Sequence, residues 1–422
     1  MTAPRGTYDI LPEDSKRWQA LEAVIDAVCA RYCYGEIRTP QFESTDVFVR
    51  TIGQGTDIVD KEMYTFTDRG GRSITLRPEL TAPVVRAVLE HSMLQSLPLK
   101  LYYRGPFFRY ERPQRGRFRQ AHQFGVECFG AAAAEADAEV IALGLDVVRE
   151  AGIRDRHLDL NSIGCPNCRP AYRQALVSHF AQHAADLSEQ SRVRLETNPL
   201  RILDSKDEAD QALIASAPRM FDYLCAECKA HFAAVQSSLH AMHIEFAINH
   251  NIVRGLDYYT RTVFEISSGS LGAQNAVAGG GRYDGLVESM GGPPTPGVGF
   301  GMGMDRLILA AQAAANIASD RRELDVAFVA IDARGLAALV PALHAVRNAG
   351  LRADTDYTLR KLDKQLKNAA ARGARMAVIA GEDEVAAGEA TIQDLTTRER
   401  ARVAIGSVVD ETLRRLQQLE TA

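Results

Sequence analysis

At 422 residues, 46% of them apolar, the chain is too long for one ordinary core and has hydrophobic content for two or three domains. Its 54 acidic and 49 basic residues leave a net charge of -5, which excludes a global basic field for nucleic acid, so any RNA contact must use local patches. The first thirty residues lack a basic segment leading into an unbroken apolar one and no stretch approaches bilayer-spanning length, so the expectation is cytoplasmic, without membrane contact.

In chain order, Arg5 to Pro12 is a turn-rich opening, and Glu13 to Tyr32 places Trp18, Leu21, Ile25 and Val28 at helical spacing. Short β-rich runs follow at Met63 to Thr67, Ser73 to Leu76, Leu99 to Tyr103 and Phe124 to Phe129, broken by Gly, Pro and charged turns, which predicts a largely antiparallel sheet. The alanine run Ala131 to Ala134 reads as a turn or helix edge. Glu135 to Ala151 is helical in spacing, His157 to Asn161 reads as a strand, and Arg169 to Phe246 is mostly helical with breaks at Pro199 and Pro218. A helical insertion inside a sheet domain is expected. Gly297 to Leu309 is a strand running into a helix with Arg306 in its opening turns, and Ala310 to Glu323 reads as a linker. From Asp325, strands at Asp325 to Ile331, Leu351 to Asp356 and Met376 to Gly381 alternate with helices, the pattern of a separate α/β domain.

Two stretches suit chemistry. In Asn251-Ile-Val-Arg254-Gly-Leu-Asp257-Tyr258-Tyr259-Thr260, an Arg beside Gly gives a guanidinium close approach to a ligand, and Tyr258 and Tyr259 supply walls with hydroxyls. Between Tyr103 and Glu127 lie Arg104, Arg109, Arg112, Arg115, Arg117 and Arg119, a density of fixed positive charge suited to triphosphate or RNA phosphate. His122 and His157 read as structural histidines. Seven cysteines, an odd number, read as thiols or metal ligands rather than disulfides. Four of them form the knuckles Cys165-Pro-Asn-Cys168 and Cys225-Ala-Glu-Cys228, the spacing of a structural Zn²⁺ site that would clamp the ends of the insertion, remote from the chemistry of the two stretches above.

The Arg254 peptide, with Ala278-Gly-Gly-Gly-Arg-Tyr-Asp-Gly285, resembles the two signature peptides of histidyl-tRNA synthetases. Phe108-Arg109-Tyr-Glu111 with its Arg-rich loop resembles motif 2 of the class II synthetases, Gly301-Met-Gly-Met-Asp-Arg306 resembles motif 3, and the segment ending Glu36-Ile-Arg-Thr-Pro40 is a motif 1 candidate. The resemblance implies an α+β chain: a class II catalytic domain over 1–322, an antiparallel sheet flanked by helices with a helical insertion at about 166–246, then an α/β anticodon-binding domain of class IIa over 323–422. It also implies a homodimer built on the motif 1 segment, with ATP, Mg²⁺, L-histidine and histidine tRNA as ligands.

Carried over by position, Arg109 would hold the ATP α-phosphate and the substrate carboxylate region, Glu111 the adenine amine, Arg306 the γ-phosphate, and Arg254 would be the catalytic electrophile. Glu79 and Thr81 would take the substrate ammonium, and Gln123, Glu127, Tyr258 and Tyr259 would complete the pocket, Glu127 holding the imidazole. Arg112 and Gln114 would reach the extra guanosine at the tRNA acceptor end. Leu80, where the family commonly has Gly, and Ala121, where an aromatic usually stacks on adenine, depart from the pattern, and Phe118 is a substitute platform. In the last domain Arg360, Lys361, Lys364, Lys367, Arg372 and Arg375 face one acid, Asp363, within that stretch. The alternative is the non-catalytic synthetase-like regulatory subunit of ATP phosphoribosyltransferase, which lacks the C-terminal anticodon domain and has a degraded Arg254 peptide.

Overall fold

The spacing at Trp18, Leu21, Ile25 and Val28 produces the helix Pro12–Arg31, which buries those four side chains. Pro12 at its first position costs no hydrogen bond, and Glu13 and Asp14 in the first turn and Arg31 in the last oppose the helix dipole. The computed structural model describes residues 1–421 except 53–55, 57, 113–115, 254–257, 272–274 and 314–322. Two units result, Met1–Ala318 and Ser319–Ala422. Among the described residues no helix is long and apolar enough to cross a membrane.

The strands of the first unit are β1 (Gly35–Glu36), β2 (Phe42–Ser44), β3 (Tyr64–Thr67), β4 (Ser73–Leu76), β5 (Leu99–Phe108), β6 (Gln120–Phe129), β7 (Arg156–Ser162), β8 (Ala247–Ile248), β9 (Thr260–Ser268), β10 (Ala276–Arg282) and β11 (Gly297–Gly303). β2, β4 and β3 form a small sheet; the other eight run in the order β1-β5-β6-β11-β10-β9-β7-β8. Pairing is antiparallel except that β1 lies parallel to β5 and β8 parallel to β7. β5 and β6 are longer than their apolar runs predict, because the ladder continues through polar residues from Leu99 opposite Phe129 to Phe108 opposite Gln120.

Alternation along these strands divides the sheet into two faces. Phe124, Val126 and Cys128 of β6 and Val298, Phe300 and Met302 of β11 enter the main core, shared with the helices Pro12–Arg31, Ala134–Glu150 and Met304–Ala313. Leu101 and Tyr103 of β5 and Val263 of β9, on the opposite face, pack with the helix Thr81–Glu90. The last helix before the second unit runs to Ala313, so the segment read as linker from Ala310 begins in a helix.

Arg282 and Asp137, both 0% exposed, join β10 to the helix Ala134–Glu150. Arg282 Nε lies 3.1 Å from Asp137 Oδ2, and its two Nη groups donate to the carbonyls of Ala131 and Ala133 at 2.9 and 3.1 Å. His231 Nε2 sits 3.3 Å from Asp137 Oδ1, bringing the insertion into the network. The alanine run is therefore a loop fixed by Arg282 that becomes a helix at Ala134. The insertion, with helices Arg169–Ala181, Glu189–Thr197, Glu208–Ala215 and Ala226–Ala241, has a core of its own around Tyr172, Leu176, Phe180 and Ile202.

The second unit contains β12 (Val326–Ala330), β13 (Ala353–Thr355), β14 (Met376–Ala380), β15 (Glu389–Asp394) and β16 (Arg400–Ala404), in the order β13-β12-β14-β15-β16. β13, β12 and β14 are parallel, and β12 and β14 are buried at every position, as strands covered on both faces must be. The antiparallel pair β15 and β16 lies outside the sequence expectation, since Glu389–Asp394 and Arg400–Ala404 carry too many polar residues for an apolar signal.

Replacing Asp137 by Ala leaves the buried Arg282 guanidinium with only the partly exposed Asp284, at 3.1 Å, as its carboxylate partner, which should cost about 3 kcal/mol. Denaturant unfolding followed by the fluorescence of Trp18, the one tryptophan of the chain, reads the unit concerned. A loss under about 1 kcal/mol would show the network to be dispensable.

Candidate active site

The sheet face opposite the main core is floored by backbone. Gly299 and Gly301 of β11 pair with Glu127 and Gly125 of β6. A Cβ on Gly299 would lie 2.0 Å from Glu127 Oε2, and one on Gly301 would lie 2.1 Å from Gln123 Nε2. The two polar side chains lie flat across β11, and only glycine admits them.

Glu127, 1% exposed, is the centre of this floor. Its Oε1 accepts from the hydroxyls of Thr81 at 2.7 Å and Tyr103 at 3.1 Å, and its Oε2 accepts from the Tyr283 hydroxyl. Burial raises its pKa to about 8, against the pull of the Tyr283, Thr81 and Tyr103 hydroxyls toward the ionised form. Burial likewise holds Tyr103, Tyr258 and Tyr283 protonated far above neutrality, so their hydroxyls remain donors. Gln123 Oε1 is buried and, among the described residues, has no hydrogen-bond partner, an acceptor open to a ligand.

Tyr258 and Tyr259 stack at a centroid distance of 4.7 Å and meet the Tyr283 ring at 5.7 and 6.4 Å, so three tyrosines wall one side. Glu79, 3% exposed, accepts from the backbone N–H groups of Thr81 and Ala82 at 2.6 and 2.8 Å, tying the loop to the helix Thr81–Glu90. Burial raises its pKa and the nearby Arg109 guanidinium opposes the rise. Arg77 sets the loop against β5 by donating to Pro106 O at 2.7 Å, and Arg109 Nε donates to Pro78 O at 2.7 Å. Leu80 is a core residue beneath this helix.

Glu111 stands between Arg109 at 3.8 Å and Arg117 at 3.4 Å. Arg306, in the first turn of the helix Met304–Ala313, has its pKa lowered by burial and next by Arg117. Two guanidiniums that repel across a cleft favour an anion between them. Ala121 is buried opposite Phe107, and Phe118 packs on Tyr8 at 4.7 Å. Arg112 is exposed.

The Arg-rich stretch is divided more than its composition suggests. Arg104 points to the other face and pairs with Asp26 at 2.9 Å and Glu36 at 3.4 Å, while Arg119 stacks on Tyr110 at 3.8 Å. His122 is structural: its ring packs on Trp18 and its backbone N–H donates to Asp305 at 2.7 Å. Arg254 and Gln114 lie outside the described residues. Sequence reasoning missed Tyr283 and Tyr103; Tyr283 was visible as the aromatic after the Gly-Gly-Gly-Arg run, but nothing in the sequence paired it with Glu127.

The four knuckle sulfurs lie within 4.8 Å of one another. They are closer to the tyrosine wall than a remote clamp, since Arg169, next to Cys168, donates to the carbonyl oxygen of Tyr259. In the second unit Arg360 pairs with Asp356, and Arg372 with Asp354 at 2.7 Å, acids from outside the basic stretch, while Lys361, Lys364 and Lys367 are exposed.

An antiparallel sheet with a glycine floor, an arginine pair at its open face and a following helix that carries Arg306 defines a class II aminoacyl-tRNA synthetase catalytic unit. A family model for histidyl-tRNA synthetases matches residues 6–307, and one for the anticodon-binding domain matches residues 341–415. The chain is 51% identical over 420 residues to the histidine–tRNA ligase of Desulforudis audaxviator, covering 98% of this chain and 99% of that one. It is 48% identical over 412 residues to that of Desulforamulus reducens, covering 97% and 98%. The crystal structure of apo S. aureus histidyl-tRNA synthetase superposes with a TM-score of 0.81 at 38% identity, covering 98% of this chain and 99% of that one. The chain belongs to the histidyl-tRNA synthetase family.

Because Glu127 has a raised pKa in the folded chain, its contribution is fully present below the ordinary carboxyl value of 4.5 and is lost as pH rises through about 8. Between those limits the ligand-free protein should lose roughly a few kcal/mol relative to Glu127→Gln, read as the difference between their unfolding free energies across pH. Parallel pH profiles would show that Glu127 ionises as it does in water.

Proposed function

We propose that the chain is a histidine–tRNA ligase: it activates L-histidine with ATP, as the Mg²⁺ complex, and passes the histidyl group to the 3′-terminal adenosine of histidine tRNA. The observation that carries this reading is Glu127, a buried carboxyl group among three hydroxyls on a glycine floor. An imidazole can share a proton with such a group, and an apolar side chain would leave the buried Gln123 amide oxygen beside it without a partner.

In the first step a histidine carboxylate oxygen attacks the α-phosphorus of ATP, an O–P bond forms, and the bond to pyrophosphate breaks. Glu127 and Gln123 hold the imidazole, Tyr258 and Tyr259 wall it, and Glu79 and Thr81 take the ammonium. Arg109, oriented by its bond to Pro78, stabilises charge at the α-phosphate, Arg306 holds the γ-phosphate and Glu111 the adenine amine. Arg254 acts as the electrophile beside the reacting groups. In the second step the ribose hydroxyl attacks the carbonyl carbon, AMP leaves, and a phosphate oxygen of the adenylate takes the proton.

Arg112 and Gln114 read the acceptor end of the tRNA, and the exposed Lys361, Lys364 and Lys367 offer positive charge to its anticodon end. Catalysis falls to residues 1–322 and anticodon binding to 323–422, in a cytoplasmic homodimer joined through the Glu36 to Pro40 segment. The four knuckle cysteines hold a structural Zn²⁺. A histidine-sensing regulatory subunit would have no use for a C-terminal unit matched over residues 341–415 by the anticodon-binding model.

Histidine-dependent exchange of pyrophosphate into ATP tests the reading: exchange with histidine alone among a panel of amino acids is expected, and none from folded protein would overturn it. Arg254→Ala should lower that exchange by at least about 100-fold while histidine binding stays within a few-fold. Near-normal exchange would remove Arg254 from its role.

A further inference from the structure

All seven cysteines are free, and Cys165, Cys168, Cys225 and Cys228 converge with every sulfur within 4.8 Å of the others, although the two knuckles are far apart in sequence. A tetrahedral thiolate zinc site, with Zn–S near 2.3 Å, needs sulfurs about 3.8 Å apart, which these donors reach with small adjustments. Cys168 and Cys228 are 3% and 1% exposed. Each knuckle leads into a helix, Arg169–Ala181 or Ala226–Ala241, whose N-terminal end favours negative charge, and the Cys225 N–H donates to Cys168 Sγ at 3.2 Å. A thiol sulfur accepts such a bond only weakly, and a thiolate on a cation accepts it strongly.

The knuckles are also tied to the tyrosine wall. Gly164, immediately before Cys165, accepts from the Arg261 N–H at 2.8 Å, and the Ile163 N–H donates to Arg261 O at 2.8 Å. Arg261 has φ of 52°, a left-handed conformation that a non-glycine residue holds only when its surroundings impose it. Arg169, immediately after Cys168, donates to Tyr259 O. Val253 packs against the cluster that contains Cys168 and Cys228. The first knuckle thus grips the chain at Tyr259 and Arg261, and the insertion core grips it at Val253, on the two sides of residues 254–257.

We propose that the four thiolates bind one zinc ion per chain, and that this ion, by fixing Gly164 and Arg169, sets the position of Tyr258 and Tyr259 and hence the affinity for histidine. Binding converts thiols to thiolates with release of their protons and involves no redox change. The coupling rests on the reading of Tyr258 and Tyr259 as a substrate wall; the metal site itself does not.

The test uses the full-length protein purified without chelator. Metal content is measured by atomic emission, and histidine and ATP affinities by calorimetry, for wild type, chelator-stripped wild type and Arg169→Ala. One zinc per chain is expected in wild type and in Arg169→Ala, which keeps all four thiolates. Histidine should bind about tenfold more weakly in both altered forms while ATP affinity is unchanged, and zinc returned to the stripped protein should restore the wild-type value. Absence of stoichiometric zinc would overturn the metal site. Zinc present with unaltered histidine affinity in Arg169→Ala would overturn the coupling even if stripping unfolds the insertion. Failure of zinc-loaded wild type to bind histidine would overturn the reading of the pocket.

Discussion

A carboxyl group removed from water must be paired, protonated or surrounded by donors, and Glu127 imposes that requirement on the whole first unit. The donors come from separate elements: Thr81 begins a helix, Tyr103 lies on β5, and Tyr283 follows β10. Gly299 leaves room for the carboxylate to lie across β11. They meet because β5, β6, β11 and β10 are neighbours in that order, so the strand order that buries the apolar face also gathers the donors of one side chain.

The other face supplies the rigidity. Phe124, Val126, Phe300 and Met302 anchor β6 and β11 in a core closed by four helices, the helix Ala226–Ala241 of the insertion among them, and Arg282 locks β10 to the loop before Ala134. Interiors of this kind transmit displacement rather than absorb it. A polar site on an open face, backed by packed residues on the alternate positions of the same strands, keeps its geometry without needing a ligand to assemble it.

Much of this was legible in the sequence where a local period or a local peptide carried the signal. The spacing from Trp18 to Val28 announced the first helix, and the β-rich run Phe124 to Phe129 announced the second half of β6. The peptides around Arg109, Tyr258 and Arg306 carried the family resemblance. What could not be read depended on pairing across long separations. A period of two does not say which face meets solvent, so Arg104 read like Arg109 although it turns away to Asp26 and Glu36. Arg282, inside a signature peptide, is committed to Asp137, Asp284 and two carbonyls. β15 adds to the edge of β14 and buries Ala390 and Ile392, and β16 in turn pairs with β15.

The partner groups around Glu127 also bear on fidelity. A pocket that recognises its substrate by filling a hydrophobic hole distinguishes poorly between side chains of similar size, and enzymes built that way correct their errors in a second, hydrolytic site. A pocket built on a buried carboxyl group and an open amide oxygen instead penalises any side chain that cannot bond to them, a discrimination that reaches about 10⁴-fold in sites of this design. On the proposed reading of Glu127 and Gln123 as the groups that hold the substrate, accuracy is settled at the moment of binding rather than in a second, hydrolytic site.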